Sequence, residues 1–446
     1  MTALALSAVG VELRAQRAGV PVVLLSIDGL KPDYVLDADK HGLKVPNLRR
    51  MMRDGAYATG VRGVTPTLTY PSHTTLVTGV SPSEHGILHN SPFDPMSTNA
   101  SGWYWYAEDI KVPTLWDVAR DAGLTTANVD WPVTVGARIN YSIVQIWRAP
   151  VAAPPGREED HKLLRALSTP GLLDEAEKAL GVYPAGYQYT PADDEKRAKF
   201  LAWMIATKKP DFTTGYFASL DEAQHEHGPY DKATFDTLEQ LDALIGQVRA
   251  AAEKTWGRRF VFALVSDHGH IKTDRAVHIN AALVKAGLVD VDGKGAVTAW
   301  RAFGWTAGGS AAIVLKDPSD QPSLDRARSA VKDLSMDSSR PIDSILEGSA
   351  LRATGGFPTA AIVIGLKPDF RTGSALTGAL VTAVASPGGT HGFLPGPRDM
   401  ESSFFAIGEG VPAGRSLGPI DMRDIAPTLG ARLGVTLGHA QGRARF

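Results

Sequence analysis

Five short segments spread over the chain carry side chains that could hold divalent cations around a hydroxyl nucleophile. They are Ser26-Ile27-Asp28-Gly29, Thr69-Tyr70-Pro71-Ser72-His73, Asp221 with His225 four residues on, Ser266-Asp267-His268-Gly269 and Thr390-His391-Gly392. Together they supply three carboxylates (Asp28, Asp221, Asp267), three imidazoles (His225, His268, His391) and the Thr69 hydroxyl. That set suits a dinuclear zinc site, where the paired ions serve both ends of a displacement. Asp221 and His225, if helical, share one face and reach one ion. His391 lies among Gly388, Gly389 and Gly392, which let the backbone approach a site closely, and it completes that group. His227 is the alternative ligand to His225. A threonine hydroxyl is a poor nucleophile at neutral pH and needs a base or a metal to activate it. The helix expected just after Thr69 presents unsatisfied N–H groups that favour a phosphate and an ionised hydroxyl.

Each segment taken singly has a plainer reading. A strand-end Asp such as Asp28 can cap the next helix, Thr67 or Ser72 can cap the helix after Thr69, and His391 can be an ordinary loop residue. Only their conjunction points to a metallohydrolase.

Composition narrows the alternatives. The chain has 446 residues, 21% of them charged, with 46 Lys and Arg against 48 Asp and Glu. That is a globular protein without the positive excess of a duplex nucleic-acid binder. Cysteine is absent, so disulfides and thiolate ligands are excluded and any metal must sit on His, Asp or Glu. Residues 3–11 are apolar and read either as a signal remnant or as a first helix, which sets 1–20 apart from a domain over 21–446. No later run is long enough to span a membrane.

The elements that must position these groups alternate. Apolar runs at 22–26, 125–129, 212–218 and 259–266 read as buried strands, the first and last ending on Asp28 and Asp267. Helices are expected near 46–54, 72–80, 115–122, 194–208 and 232–255, with a late strand at 404–408 and a final helix from Met422. This alternation predicts an α/β fold, a mostly parallel central sheet with helices on both faces. The stretch 282–389 is less regular and reads as a smaller inserted lobe, with short strands at 311–315 and 360–365 and a helix near 323–334. The aromatic run Trp103-Tyr104-Trp105-Tyr106 is either a lid over a flat group or packing, as is Trp131.

At this level of detail the chain resembles the type I phosphodiesterase/nucleotide pyrophosphatase branch of the alkaline phosphatase superfamily. The resemblance runs from Val22 to the C-terminus and is most specific over Thr65 to Asn90, TPTLTYPSHTTLVTGVSPSEHGILHN. Family members carry a Thr-Phe/Tyr-Pro-x-His segment and then a pattern closing on His-Gly-Ile-x-x-Asn. The resemblance implies an alkaline phosphatase-like fold and two zinc ions, with other divalent metals as possible substitutes. Asp221, His225 and His391 would bind one ion. Asp28, Asp267 and His268 would bind the other, with Thr69 as a further ligand. Thr69 is the implied nucleophile, and Asn90 the implied donor to a non-bridging phosphoryl oxygen. The chain departs from the usual pattern in having Ser72 where Asn is common.

The implied reaction is in-line phosphoryl transfer through a phospho-threonine, on a small phosphate ester or nucleotide. A diester or pyrophosphate suits the neutral Asn90 better than a monoester, whose extra charge calls for a cation that Arg138 or Arg148 would have to supply. A monoesterase and a catalytically inactive zinc-binding module are the alternatives. The expected location is periplasmic or secreted, with the cytoplasm as the alternative, and the oligomeric state is left open.

Overall fold

The computed structural model describes residues 19–99, 102–147, 157–186 and 189–446. The apolar segment at 3–11 and Arg148 lie outside the described residues.

Strand Val22–Ile27 sits at the heart of an eight-stranded sheet. Its neighbours are Val261–Val265 and Phe212–Phe217, both parallel to it, with Ser26 level with Val265 and Ile27 level with Phe217. Thr126–Val129 and then Tyr141–Ile143 extend the sheet in parallel beyond Phe212–Phe217. Phe404–Gly408 pairs antiparallel to Val261–Val265 on the other side and leads to the short edge strands Ala56–Tyr57 and Arg415–Ser416. Even so, the sheet is mostly parallel.

A parallel strand has both faces covered, and its sequence therefore reads as an unbroken apolar run. Val23, Leu25 and Ile27 join one buried cluster with Leu48 and Met51 and with Leu201, Met204 and Ile245. Val22 and Leu24 point the other way, into a cluster with Leu76, Trp116, Ile425 and Leu429. Helices Pro46–Asp54, Pro191–Lys208 and Lys232–Trp256 supply the first layer. Helices Thr69–Thr78, Leu115–Asp121 and Ile425–Leu433 supply the second.

Apart from a two-stranded pair of Gly60–Arg62 with Pro419–Asp421, the smaller sheets of the described residues form the inserted lobe. Its main sheet has the order Ala302–Thr306, Ser310–Leu315, Ala360–Leu366, Ile342–Leu346, backed by helix Gln321–Ser335. A second sheet, Asp369–Thr372, Ile271–Val277 and Val381–Thr390, carries the chain out of the main domain and back.

Two helix starts differ from the sequence expectation. The helix expected from 72 begins at Thr69, because Pro71 falls in its first turn, where a missing N–H costs nothing. The helix expected from 194 begins at Pro191 behind a capping box made by Thr190 and Asp193.

Candidate metal centre

The proposed ligands sit at the C-terminal ends of three adjacent parallel strands, the edge where open α/β sheets place their ligands. Asp28 follows Val22–Ile27, and Asp267 and His268 follow Val261–Val265. Beyond Phe212–Phe217, helix Ser219–His227 carries Asp221 in its first turn and His225 one turn on. The start of that helix is fixed by Asp194, whose carboxylate accepts from Ser219 N at 2.9 Å while Arg197 donates to it at 3.1 Å. His391 arrives from the lobe, just past Val381–Thr390. Gly388 and Gly389 bring it there. A Cβ on Gly388 would lie 2.0 Å from the His225 carbonyl oxygen, and one on Gly389 would lie 2.6 Å from that of Gln224.

The structure gathers these side chains into two abutting groups. In the first, His268 Nε2 lies 3.4 Å from Asp28 Oδ1, 3.1 Å from Asp267 Oδ2 and 3.5 Å from Thr69 Oγ1. In the second, His225 Nε2 lies 3.3 Å from Asp221 Oδ2, and His391 Nε2 lies 3.9 Å from Asp221 Oδ1. The rings of His268 and His391 stack at 3.7 Å and join the groups. His227 faces Glu226 at 3.6 Å instead and joins neither.

Hydrogen bonding decides which atoms remain for a cation. The Nδ1 of His225 pairs with the Gly389 carbonyl, that of His268 with the Gly269 carbonyl and that of His391 with the Thr67 carbonyl. Each Nδ1 therefore carries the proton, which leaves an Nε2 lone pair. Two of the carboxylates follow the same division of labour. Tyr216 donates its hydroxyl to Asp28 Oδ2, and Gly29 N donates to Asp267 Oδ1 at 3.1 Å. Asp28 Oδ1 and Asp267 Oδ2 are buried with no donor. The His268 lone pair thus faces bare carboxylate oxygens at 3.1 and 3.4 Å, and that of His225 faces Asp221 Oδ2 at 3.3 Å. Ligands of a tetrahedral zinc stand about 3.3 Å apart at zinc–ligand distances near 2.0–2.1 Å. The donor set and its spacing therefore fit divalent cations.

The titration behaviour agrees. Burial, reinforced by Asp221 and Asp267, pushes Asp28 well above the usual carboxylate range. Burial raises Asp267 to about 7 and lowers His391 to about 3. Burial would also raise Asp221, but His225 and His270 outweigh it and hold Asp221 well down.

Thr69 opens its helix at the edge of the first group. His73, one turn along, is anchored by Ser26 Oγ at 2.9 Å and by the Thr69 carbonyl at 2.8 Å. Asn90 accepts from Tyr70 N through Oδ1 at 2.9 Å, which leaves its Nδ2 as the donating group. The two residues share the wall of a cavity of roughly 110 Å³ with Asp221, His225 and His391. Trp103, Trp147 and Tyr189 also line it. The aromatic run is thereby split: Trp103 borders the cavity, whereas Trp105 donates to the Trp147 carbonyl and packs. Trp131 is packing, edge-on to His73.

Two residues at the centre escaped the sequence reading. Tyr216 alternates into the site from its strand. His270, two residues past His268, is fully buried and meets Asp221 Oδ1 at 2.6 Å. The repeat Asp267-His268-Gly269-His270 was the available signal for it.

A model of the type I phosphodiesterase/nucleotide pyrophosphatase family matches residues 22–340. Human ectonucleotide pyrophosphatase/phosphodiesterase family member 1 is 26% identical over 264 residues, covering 56% of this chain and 23% of that protein. Venom phosphodiesterase 2 of Crotalus adamanteus is 25% identical over 267 residues, covering 57% and 28%. The chain spans less than half the length of the curated relatives it matches. Among solved structures, human ectonucleotide pyrophosphatase/phosphodiesterase 5 superposes with a TM-score of 0.65 at 18% identity, over 95% of this chain and 97% of that one. The murine protein, as an inactive variant in complex with AMP, gives the same values. At that identity the likeness is one of fold. The family match, extending over most of the chain, places this protein in the type I phosphodiesterase/nucleotide pyrophosphatase family.

Proposed function

We propose that the chain is a two-metal phosphoryl-transfer hydrolase acting on phosphodiesters and nucleotide pyrophosphates, with Thr69 as its nucleophile. The reading treats 21–446 as one catalytic domain and 282–389 as its inserted lobe. The observation that carries it is the placement of Thr69 Oγ1, 3.5 Å from His268 Nε2, beside the uncompensated buried oxygens of Asp28 and Asp267. Two zinc ions, or other divalent cations, held by Asp28, Asp267, His268 and Thr69 and by Asp221, His225 and His391 would supply the Lewis acidity that lowers the hydroxyl pKa and offsets charge on the departing oxygen.

The chain's own residues do the rest. Thr69 Oγ gives up its proton to solvent water and attacks phosphorus, forming the Oγ–P bond as the bond to the leaving oxygen breaks and that oxygen takes up a proton from solvent. Asn90 Nδ2 donates to a non-bridging oxygen as charge builds on it, and the backbone N–H of Thr69, first in helix Thr69–Thr78, adds to that field. Water then attacks phosphorus, the Oγ–P bond breaks, and Thr69 recovers its hydroxyl as the phosphate monoester leaves.

The cavity around Thr69 favours a diester. Among the described residues that line it there is no Lys or Arg to meet a monoester's extra charge. Arg138 is exposed and bound to Asp121 at 2.6 Å. Asn90 and Trp103 also border a second cavity of roughly 570 Å³, again lined without Lys or Arg, which gives a neutral second substituent room. The AMP bound to the murine neighbour supports a nucleoside as the other substituent. Among the described residues no helix is long and apolar enough to cross a membrane. The ecto- and venom enzymes among the relatives support a periplasmic or secreted location over a cytoplasmic one.

Initial rates for an aryl phosphate monoester, a bis-aryl phosphate diester and a dinucleoside pyrophosphate, measured side by side on zinc-loaded protein, test this reading. The diester and the pyrophosphate are expected to lead. A monoester turned over tenfold faster than either would overturn it.

A further inference from the structure

Three carboxylates serve the centre, and each has one oxygen held by a protein donor. For Asp28 the donor is the Tyr216 hydroxyl, and for Asp267 it is the backbone N–H of Gly29. For Asp221 it is His270, a residue to which neither composition nor motif gave a role. We infer that His270 is a positioning residue: it donates Nε2–H to Asp221 Oδ1, turns Oδ2 toward His225, and stays out of the coordination sphere itself. The inference rests on the two-cation reading above.

Distance separates the two roles open to this imidazole. His270 Nε2 is 2.6 Å from Asp221 Oδ1. That is a charge-assisted hydrogen bond. It is too close for two ligands of one tetrahedral ion, which stand about 3.3 Å apart. His225 Nε2, at 3.3 Å from Asp221 Oδ2, has the ligand spacing. The protonation pattern points the same way. The three ligand imidazoles give Nδ1–H to backbone carbonyls and keep Nε2 bare, whereas His270 uses Nε2 against the carboxylate and its buried Nδ1 has no partner. Its Nδ1 lies toward Gly389, where a Cβ would come within 2.9 Å of it. The surroundings leave the ring no other place. It packs at 4.8 Å from His225 and 5.2 Å from His391 and is fully buried. Its carbonyl accepts from Lys31 at 3.4 Å, which pins the backbone.

Outer partners of this kind typically govern metal affinity by 10–100-fold. The test uses the intact chain. His270→Leu removes the donor at similar volume, and His270→Gln returns an N–H near the Nε2 position. Cobalt(II) affinity by chelator competition, with the visible spectrum of the cobalt protein, is read for both. His270→Leu is expected to weaken one of the two cobalt sites by about 10–100-fold, and His270→Gln to recover most of that loss with an unchanged spectrum. Equal affinities in all three proteins would overturn the inference.

A measurement on the unmutated chain covers the case in which His270→Leu does not fold. In the cadmium-113-loaded, nitrogen-15-histidine protein, three imidazoles should couple to cadmium through Nε2, and the His270 Nε2 should carry a proton instead. Cadmium coupling to His270 Nε2 would refute the positioning role while leaving the two-cation reading intact. A chain that takes up no cadmium or cobalt at all would refute both.

Discussion

Asp28 Oδ1 lies 3.4 Å from Nε2 of His268, buried and with no protein donor of its own. An unpaired buried carboxylate oxygen is among the costlier features a fold can carry, at about 1–3 kcal/mol and more when charged. Asp28→Asn relieves that cost and removes the charge that would hold a cation. The metal-free variant should therefore melt no lower than the parent protein, while the rise in Tm on adding zinc should shrink. Thermal unfolding with and without zinc checks this. An undiminished zinc-induced rise would show that Asp28 is not a ligand.

Asn90 offers one donor to the reacting phosphoryl group, since Tyr70 N fixes its Oδ1. Losing one such preorganised donor costs about 10²–10³ in kcat. Asn90→Ala is expected to fall in that range, and Asn90→Asp lower still, because it sets a carboxylate where anionic charge develops. Steady-state kinetics on a bis-aryl phosphate measure both, with metal content unchanged.

His85 ties the loop that carries Asn90 to the nucleophile helix. It meets Thr75 Oγ1 at 3.1 Å through Nε2 and accepts from Ile87 N at 3.1 Å through Nδ1. Burial lowers its pKa to about 3. Below pH 6.5 the unfolded chain gains a proton at this residue that the folded state refuses until about pH 3. Its contribution to stability is therefore full above pH 6.5 and is lost as pH falls through that window, at up to about 1.4 kcal/mol per pH unit. His85→Gln should be less stable at pH 7.5 yet lose less stability between pH 6.5 and 4.5 than the parent. Denaturant unfolding across that range reads the two slopes.

Asp221 Oδ2 and His225 Nε2 stand 3.3 Å apart on one helical face. Asp221→Ala removes a ligand from one group and leaves Asp28, Asp267 and His268 intact. One tightly held zinc per chain should remain instead of two, with hydrolysis reduced by at least about a hundredfold, since one end of the displacement is left uncompensated. Elemental analysis after dialysis gives the stoichiometry.

Much of this arrangement was legible before the fold was known, for identifiable reasons. The run Val22 to Ile27 is apolar at every position except Ser26, as a strand buried on two faces must be, so the strand-end position of Asp28 follows directly. Asp221 and His225 were readable because their spacing matches one helical turn. Strands Ile271–Val277 and Val381–Thr390 were not. The first alternates buried with exposed polar residues, and the second contains Pro387 and two glycines, so neither shows the signature of a core strand. His270 lies at the mouth of the first of these, which is why its approach to Asp221 stayed hidden. Pro71 misled in the other direction, since it reads as a break and instead sits within the first turn after Thr69.

The most direct test of the account is Thr69→Ala, assayed for metal content and for bis-aryl phosphate hydrolysis on the same sample. At least one zinc ion per chain should be retained, since six of the seven proposed ligands are untouched, with turnover reduced to the level of a protein-free blank. Hydrolysis at a near-parental rate in that variant would contradict it.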